Sequence, residues 1–349
     1  MRRLIIDHQF ESKVLGELDL EKSLWFICFL KKHLLGNWIL RLFLEMVVPL
    51  LLRVQNLIEV WRFREPWKRE HCFSVGEVES RTLFYSPPKM QNRICLFSHF
   101  DQESEVTPHT IRYLAALFDL GFDIAFCSTS QHLDDATVVK LKKFCHLVVV
   151  RENVGFDFGS WKTLMNKLGT GYSPEILLLA NDSVIGPLRP LDKIVTEFIE
   201  GSDEVLVLTD CLQHKHHAQS YFLCFKKQVL THCVWKNFWN DKNFVFFEKK
   251  SSVVFWQEVF LGNWILENLK SKIVYPYADL IEKTPRINPF PNIRPLNPTV
   301  FYWKCLIHDF GFPFIKKEVL RNTLSKDISW KNLEQSEILA LLGDFRGSH

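Results

Sequence analysis

Two groups of polar residues in this 349-residue chain have the types and spacing to bind an anionic ligand. The first follows a short apolar run, and its members are Arg151, Asn153, Gly155 and Asp157. The second follows another such run, and its members are Asn181, Asp182 and Ser183. Carboxylate, amide and hydroxyl oxygens are hard ligands that could share a divalent cation with a diphosphate. Asn-Asp-Ser is also typical of an ordinary turn, and Asn-Val-Gly of a connection from strand to helix.

The apolar runs predict the elements that position these groups. Val148–Val150 and Ile176–Leu179 are too short for helices and suit parallel strands buried on both faces, with a helix between them. Strands at Ile94–Phe97 and Phe122–Cys127, each followed by a helix, complete a β-α-β-α-β order typical of a doubly wound α/β sheet. Ligands of such sheets bind beyond the carboxyl ends of the strands, where both polar groups stand.

Four separated segments carry a resemblance to a known family. They are RENVGFDFGSW, LLANDSVIGPL, HHAQSYFLCF and NPTVFYWKCLIHDFGFPFIKKEVLR. In this order they resemble the rhamnan synthesis protein F family of glycosyltransferase-like proteins, over residues 92–333. The order of strand, N-x-G-x-D, helix, strand and Asp-centred turn is similar to the nucleotide-sugar half of GT-A glycosyltransferases. The resemblance implies an α/β fold with a GT-A-like, mostly parallel sheet flanked by helices.

The resemblance also implies the ligands and the residues that hold them. The donor would be a nucleotide-diphosphate sugar, in particular dTDP-L-rhamnose, and the acceptor a glycan or lipid-linked glycan of a cell-surface polysaccharide. Asp182 and Ser183 would hold a magnesium or manganese ion beside the diphosphate, with Asn181 next to them. Nucleotide contacts are expected from Ser98, His99, Asp101, Arg151, Asn153, Gly155 and Asp157. For His99, a position in a solvent-facing loop is the alternative.

A polar loop follows the predicted strand Glu204–Leu208. Its three histidines, His214, His216 and His217, lack a further Cys or His at ligand spacing, and Lys215 repels a cation, so zinc is disfavoured. We expect the loop to close over the acceptor or the diphosphate. Donors to anionic oxygens would be Lys215, His217 and Gln219, with Ser220 beginning the next strand.

Glu258, in a helix predicted over Val253–Leu269, is the first candidate for a catalytic base. An inverting glycosyl transfer needs a carboxylate to take the proton of the acceptor hydroxyl. The resemblance places a Glu of this kind at Glu258, and Asp210 is the second candidate. A solvated helix carboxylate is the alternative reading of Glu258.

Composition excludes several classes of protein. A hydrophobic content of 47% supports a large core, and a net charge of +3 is too small to indicate nucleic acid as a partner. No G-x-G-x-x-G follows the first strand, which disfavours a dinucleotide enzyme. Nine cysteines without a CxxC pair, and no evident signal peptide, predict a reducing, cytoplasmic location.

The predicted domains are an amphipathic helical extension with a linker (residues 1–90), a GT-A-like domain (91–333) and a C-terminal tail (334–349). Charges interrupt residues 24–67, so no spanning helix is expected there. Their Trp and basic residues suit peripheral contact with the inner face of the cell membrane, whereas packing on the main domain, a second subunit or other transferases is the alternative.

Two questions stay open in the sequence. The single carboxylate of Asn-Asp-Ser binds a cation more weakly than two, which keeps alive a non-catalytic GT-A-like module that binds glycan or a partner protein. Three basic residues near the end, Lys316, Lys317 and Arg321, suit phosphate or anionic lipid, but a solvated basic helix face is the favoured interpretation.

Overall fold

A computed structural model describes residues 78–88, 92–169, 173–284, 287 and 295–324, without the side chains of 321–324. A nine-stranded sheet forms the core of this part of the chain. Its strands are β1 Ser80–Tyr85, β2 Arg93–His99, β3 Asp123–Ser128, β4 Cys145–Arg151, β5 Ile176–Asn181, β7 Val205–Cys211, β8 His217–Ala218, β9 Phe222–Lys226 and β10 Ser271–Tyr275. Two further strands, β6 Val184–Ile185 and β11 Ile315–Lys316, form a separate antiparallel ribbon. The helical extension predicted at residues 24–67 and the tail 334–349 lie outside the described residues.

The strand order is β1-β4-β3-β2-β5-β9-β7-β10, with β8 paired to β7. Strands β2, β3, β4 and β5 are parallel, and β7 and β10 run in the same direction because β9 is antiparallel to both β5 and β7. The prediction of an α/β fold with a large, mostly parallel sheet flanked by helices is confirmed.

The central strands are apolar because they are buried along their length. Every residue of β3, β5 and β7 is buried, as expected for strands covered on both faces. The predicted strands are all found, but they run further than their apolar cores. At the carboxyl ends of β2 and β5 the extra polar residues are Ser98, His99 and Asn181, which are also buried.

The edge strand β1 corrects the expectation of a linker. Residues 65–90 are polar in composition, yet Ser80–Tyr85 pair antiparallel with β4. An edge strand keeps one side in solvent and carries polar residues, so its composition resembles that of a loop.

The helices are α1 Pro108–Asp119, α2 Asp135–Leu141, α3 Phe156–Leu168, α4 Asp192–Glu200, α5 Lys227–Thr231, α6 Cys233–Phe238, α7 Lys250–Val253, α8 Phe260–Asn268, α9 Tyr277–Lys283, α10 Pro298–Phe301, α11 Trp303–His308 and α12 Lys317–Leu324. A π-helical segment, Val254–Val259, joins α7 to α8 without a break. The helix predicted over Val253–Leu269 is therefore present, but its first half is wound differently. Within the described residues, the helices are all too short or too polar to cross a membrane.

Candidate functional site

Asp157, in the first turn of α3, links the ends of β2 and β5. These strands are parallel, with Ser98 opposite Asn181. Oδ1 of Asp157 accepts a hydrogen bond from Oγ of Ser98 at 2.9 Å, and Oδ2 accepts one from Nδ2 of Asn181 at 2.9 Å. Burial raises the pKa of Asp157 to about 6, against the opposing effect of the Ser98 hydrogen bond. Three predicted site residues therefore form one network.

Asp182 points into the protein, beside this network. Its side chain is only 9% exposed, and its Oδ2 accepts a hydrogen bond from Nζ of Lys317 at 2.8 Å. Nε2 of His99 lies 3.7 Å from the same oxygen. The charge of Asp182 also acts on Asp157 and raises its pKa further. The structure thus brings the central residues of both polar groups to one place.

The lysine at Asp182 comes from a distant part of the chain. Strand β11 pairs antiparallel with β6, which places Lys316 opposite Val184. The backbone N–H of Lys317 then donates to the carbonyl of Ser183 at 2.9 Å. The Lys316 ammonium lies 5.1 Å from the ring centroid of Tyr221. The expectation of a solvated basic helix face is therefore wrong for both lysines, since one faces an aromatic ring and the other an aspartate.

Glu258 lies in the π-helical segment and is held against Ser220, in the turn between β8 and β9. Its Oε1 accepts hydrogen bonds from the backbone N–H of Ser220 at 3.0 Å and from its Oγ at 2.8 Å. The helix approaches β8 closely at Gly262, where a Cβ would lie 2.8 Å from the nitrogen of Ala218. Glu258 is half-buried rather than a fully solvated helix carboxylate.

Glu258 is electrostatically coupled to the rest of the site. Its charge acts on Asp157 and on Lys316. Burial lowers the pKa of Lys316, while Glu258 opposes that effect. We call these coupled groups the acid–lysine cluster; its members are Asp157, Asp182, Glu258, Lys316 and Lys317.

Asp210 is held by contacts that leave it little freedom. Its Oδ1 accepts a hydrogen bond from the N–H of Tyr277 at 2.7 Å, and its Oδ2 lies 2.6 Å from Nε2 of His216. The side chain is buried. Because protein groups contact both of its oxygens, Asp210 is better suited to fixing the histidine loop, which carries His214, His216 and His217, to α9 than to accepting a substrate proton.

The loop residues expected to bind an anionic ligand contact protein groups. Lys215 donates to Oδ1 of Asn263, and its Nζ lies 3.2 Å from Oε1 of Glu267. Nδ1 of His217 lies 2.7 Å from the carbonyl of Lys215. Gln219 accepts from Thr209 at 2.7 Å and donates to Asn297 at 3.2 Å. The side chains of His217 and Gln219 are buried, whereas that of Lys215 is exposed. Their contacts hold the loop in place.

Three of the residues predicted to contact the nucleotide, His99, Asp101 and Gly155, have structural roles within the protein. His99 is buried, which rules out the solvent-facing alternative, and burial lowers its pKa. Oδ1 of Asp101 accepts from the N–H groups of Glu103 and Glu105 at 2.9 and 3.1 Å, as in a tight turn. Gly155 has a φ of +77° and begins α3, so it acts as the connection from strand to helix.

A cavity of about 910 Å³ opens at the ends of β2, β3 and β4, a size that suits a nucleoside. Its lining residues are Glu79, Ser80, Arg81, Phe100, Thr129, Ser130, Gln131, Val150, Arg151, Glu152 and Asn153. The ring of Phe100 is 40% exposed and can stack on a base. Phe100 directly follows His99, so one short piece of chain borders both the cavity and the acid–lysine cluster.

Arg151 combines burial with unsatisfied donors. Its Nη2 donates to the carbonyl of Val154, and its guanidinium lies 5.5 Å from the ring centroid of Phe246. In the part of the chain that the structure describes, its Nε and Nη1 have no hydrogen-bond partner. Burial lowers the pKa of Arg151. Arg151 thus lines the cavity, but its guanidinium is buried against Phe246 and is not open to solvent.

The residues predicted to hold a divalent cation do not fit one in this arrangement. Oδ2 of Asp182 already contacts the Lys317 ammonium. Oδ1 of Asn181 accepts from both the N–H and the Oγ of Ser183, at 3.1 and 2.6 Å, as in an ordinary turn. Among the described residues, no group of three or more His, Cys, Asp or Glu could hold a metal ion. The ammonium of Lys317 lies at Asp182, where a metal ion was expected.

Sequence reasoning named Lys317 as a residue that suits phosphate, but it missed the pairing of Lys317 with Asp182 and the role of Phe100. Lys317 lies 135 residues from Asp182 along the chain, and nothing in a Lys-Lys pair before a helix predicts its acidic partner. Phe100 stood within the segment expected to line the nucleobase pocket, between His99 and Asp101. Its position could have indicated this role, because an aromatic residue directly after a buried strand lies at the edge of the sheet where ligands bind.

Part of this chain is similar to known proteins. A family model described as Rhamnan synthesis protein F matches residues 124–337. Virulence protein VirA of Vibrio anguillarum is 31% identical over 202 residues, covering 52% of this chain and 64% of VirA. Uncharacterized protein y4gN of Sinorhizobium fredii is 26% identical over 163 residues, covering 45% of this chain and 42% of y4gN. The chain thus spans less than two thirds of these relatives.

One solved structure is similar at a low level. It is the crystal structure of a "putative nucleotide-diphospho-sugar transferase from Desulfovibrio desulfuricans G20", with 13% sequence identity and a TM-score of 0.30. The match covers 63% of this chain and 98% of that chain. This likeness is too slight to support an argument about the site.

Proposed function

The chain belongs to the rhamnan synthesis protein F family, and from this premise we propose that it is a glycosyltransferase of polysaccharide synthesis. The donor is a nucleotide-diphosphate sugar, with dTDP-L-rhamnose as the first candidate. The acceptor is a glycan or lipid-linked glycan of a rhamnan, O-antigen or lipopolysaccharide type. A lipid-linked acceptor would place the protein at the inner face of the cell membrane.

The observation that carries this proposal is the position of Glu258. Its carboxylate is oriented by two hydrogen bonds from Ser220 and is coupled to Asp157 and Lys316. A base for glycosyl transfer needs this fixed orientation beside groups that can meet a diphosphate. A cavity large enough for a nucleoside at the ends of the neighbouring strands supports the same reading.

The proposed reaction is a single displacement with inversion. The acceptor hydroxyl oxygen attacks the anomeric carbon while Glu258 takes its proton. The bond between the anomeric carbon and the diphosphate oxygen breaks, and its electron pair stays on the diphosphate. The additional negative charge on the leaving group is met by the lysines of the acid–lysine cluster.

The test is turnover of a panel of nucleotide sugars that includes dTDP-L-rhamnose, with a lipid-linked glycan acceptor. We expect release of the nucleoside diphosphate with one donor, and loss of that release in Glu258→Gln. The matched control is Glu267→Gln, an exposed carboxylate on α8 that contacts Lys215 at 3.2 Å. Equal turnover in Glu258→Gln and the wild type would reject Glu258 as the base.

A non-catalytic module is the second candidate, because Asp182 is paired with Lys317 and the histidine loop is held by protein contacts. Such a module would bind glycan or a partner transferase through this domain. It predicts glycan binding without release of nucleoside diphosphate from any donor in the panel.

A further inference from the structure

Lys317 is built into the acid–lysine cluster by both its backbone and its side chain. Its N–H donates to the carbonyl of Ser183 at 2.9 Å, and its Nζ donates to Oδ2 of Asp182 at 2.8 Å. The side chain of Lys317 is 21% exposed, whereas that of Asp182 is 9% exposed. Lys317 is therefore the more exposed side chain of the pair.

The Lys317 ammonium has donors left over. An ammonium carries three N–H donors, and in the described part of the chain Asp182 is the one acceptor within hydrogen-bond distance of this group. Two N–H donors are thus available for another anion, on a side chain that is partly exposed. A lysine that served only to neutralise Asp182 would not need this exposure.

His99 gives a second, independent sign of a ligand. It is 1% exposed, and its Nε2 lies 3.7 Å from Oδ2 of Asp182. This nitrogen has no hydrogen-bond partner in the residues that the structure describes. Its other nitrogen is fixed by Oγ of Ser128 at 3.0 Å. A buried ring nitrogen held next to the Asp182–Lys317 pair without a partner points to a group that the protein itself does not supply.

The charges of the cluster require a cation if a diphosphate is to enter. Asp157, Asp182 and Glu258 would repel a diphosphate, which carries at least two negative charges. Metal-dependent transferases solve this problem with a divalent ion, but the donors here do not leave Asp182 free for one. Lys317 occupies that position and carries positive charge on a side chain.

We propose that the Lys317 ammonium, held by Asp182, takes the place of a divalent cation and binds the diphosphate of the donor. The inference rests on the proposed function and makes donor binding independent of metal. Lys316, the preceding residue, adds a second positive charge near Glu258. As the donor is cleaved, the charge gained by the leaving diphosphate is stabilised by these fixed groups.

The test is calorimetry of the full chain with two probes, inorganic pyrophosphate and dTDP, in EDTA and in manganese. We expect both probes to bind in EDTA, with an affinity within about twofold of that in manganese. Lys317→Ala should weaken binding of both by about tenfold to a hundredfold, as for a lost charge-assisted hydrogen bond. Lys317→Arg should retain part of the affinity. The control, Lys193→Ala, removes a lysine that is 84% exposed on α4 and should change nothing.

The variant Asp182→Asn distinguishes diphosphate binding by Lys317 from diphosphate binding by a metal ion at Asp182. If Lys317 binds the diphosphate, Asp182→Asn leaves that ammonium present and weakens binding less than Lys317→Ala does. If Asp182 binds a metal, Asp182→Asn abolishes binding in manganese, while Lys317→Ala frees the carboxylate and strengthens it. Binding that requires manganese and survives Lys317→Ala would overturn the inference and leave the proposed function standing.

Failure of the proposed function, with the anion site intact, gives a different result. Pyrophosphate that binds in EDTA through Lys317, with no turnover of any nucleotide sugar, supports the anion site and contradicts the transferase. Binding of neither probe under either condition overturns both. The midpoint of thermal unfolding is measured for each variant. A midpoint equal to that of the wild type shows that a loss of binding is not a loss of fold.

Discussion

One oxygen of Glu258 accepts two hydrogen bonds from a single residue, the backbone N–H and the hydroxyl of Ser220, at 3.0 and 2.8 Å. This contact joins a π-helical segment to the turn before β9, and the two residues are 38 positions apart in the chain. A carboxylate held in this way keeps one orientation. The proposed proton transfer depends on that orientation, and it can be loosened without removing the carboxylate.

Ser220→Ala should lower kcat about tenfold and leave the fold intact. The variant removes one of the two hydrogen bonds to Glu258 but keeps the backbone donor, so the carboxylate gains freedom. The free energy of unfolding should fall by about 1 kcal/mol, as for a typical lost hydrogen bond. Steady-state kinetics and urea unfolding measure the two effects. The control is Ser202→Ala, an exposed serine on the loop after α4, for which kcat should be unchanged.

Gly262→Ala should destabilise the protein by about 1–3 kcal/mol. The added Cβ would lie 2.8 Å from the nitrogen of Ala218 and closer still to its carbonyl oxygen, so α8 must move away from β8. Because the same helix carries Glu258, kcat should fall as well. Gly169→Ala provides the contrast: there the Cβ meets nothing within 4 Å, but φ is +82°. That variant should lose about 1 kcal/mol through backbone strain and keep its activity.

His99 should titrate below the usual histidine range, because burial lowers its pKa. Stability linked to the neutral ring is fully present above a pH of about 6.5, the value of an unfolded histidine, and is lost as the pH falls through the folded pKa. His99→Gln should therefore reduce the loss of stability between pH 7 and pH 5. The exposed His132→Gln serves as the control. Lys317 also lowers the pKa of His99, so NMR titration of Lys317→Ala should show that pKa rising.

Asp157 should act on stability in the opposite sense. Its pKa is raised from 3.8 to about 6, mainly by burial, so its contribution is fully present below the unfolded pKa and is lost as the pH rises through about 6. Asp157→Asn should remove this loss, which we expect to be about 1–2 kcal/mol because the side chain keeps partial contact with solvent. Unfolding of both proteins in urea at pH 4 and pH 7 measures it. A pH dependence identical in the two proteins would show that Asp157 titrates normally.

The sequence predicted the sheet well because its central strands are covered on both faces. Runs such as Ile176–Leu179 are continuously apolar for that reason, and their alternation with helices indicates the fold class. The edge strand β1 was missed because its solvent-facing residues resemble those of a linker. The π-helical segment was missed because helical periodicity does not reveal one wider turn.

The site could be predicted only in part. Asp157, Asn181 and Asp182 follow strands that are neighbours in the sheet, and the order of the elements places their side chains together. The pairing of Asp182 with Lys317 depends on a ribbon between strands more than a hundred residues apart, which no local pattern encodes. Predicting a metal at Asp182 was reasonable from local residue types alone, and the distant lysine changes that interpretation.

The most direct test of the account is the initial rate of nucleoside diphosphate release by the wild type and Glu258→Gln, with the donor that the wild type uses and a saturating acceptor. A general base of this kind contributes about a hundredfold to ten-thousandfold. We therefore expect kcat to fall by at least about a hundredfold in Glu258→Gln, with unchanged thermal unfolding and unchanged binding of dTDP. Turnover within twofold of the wild type would contradict the central claim.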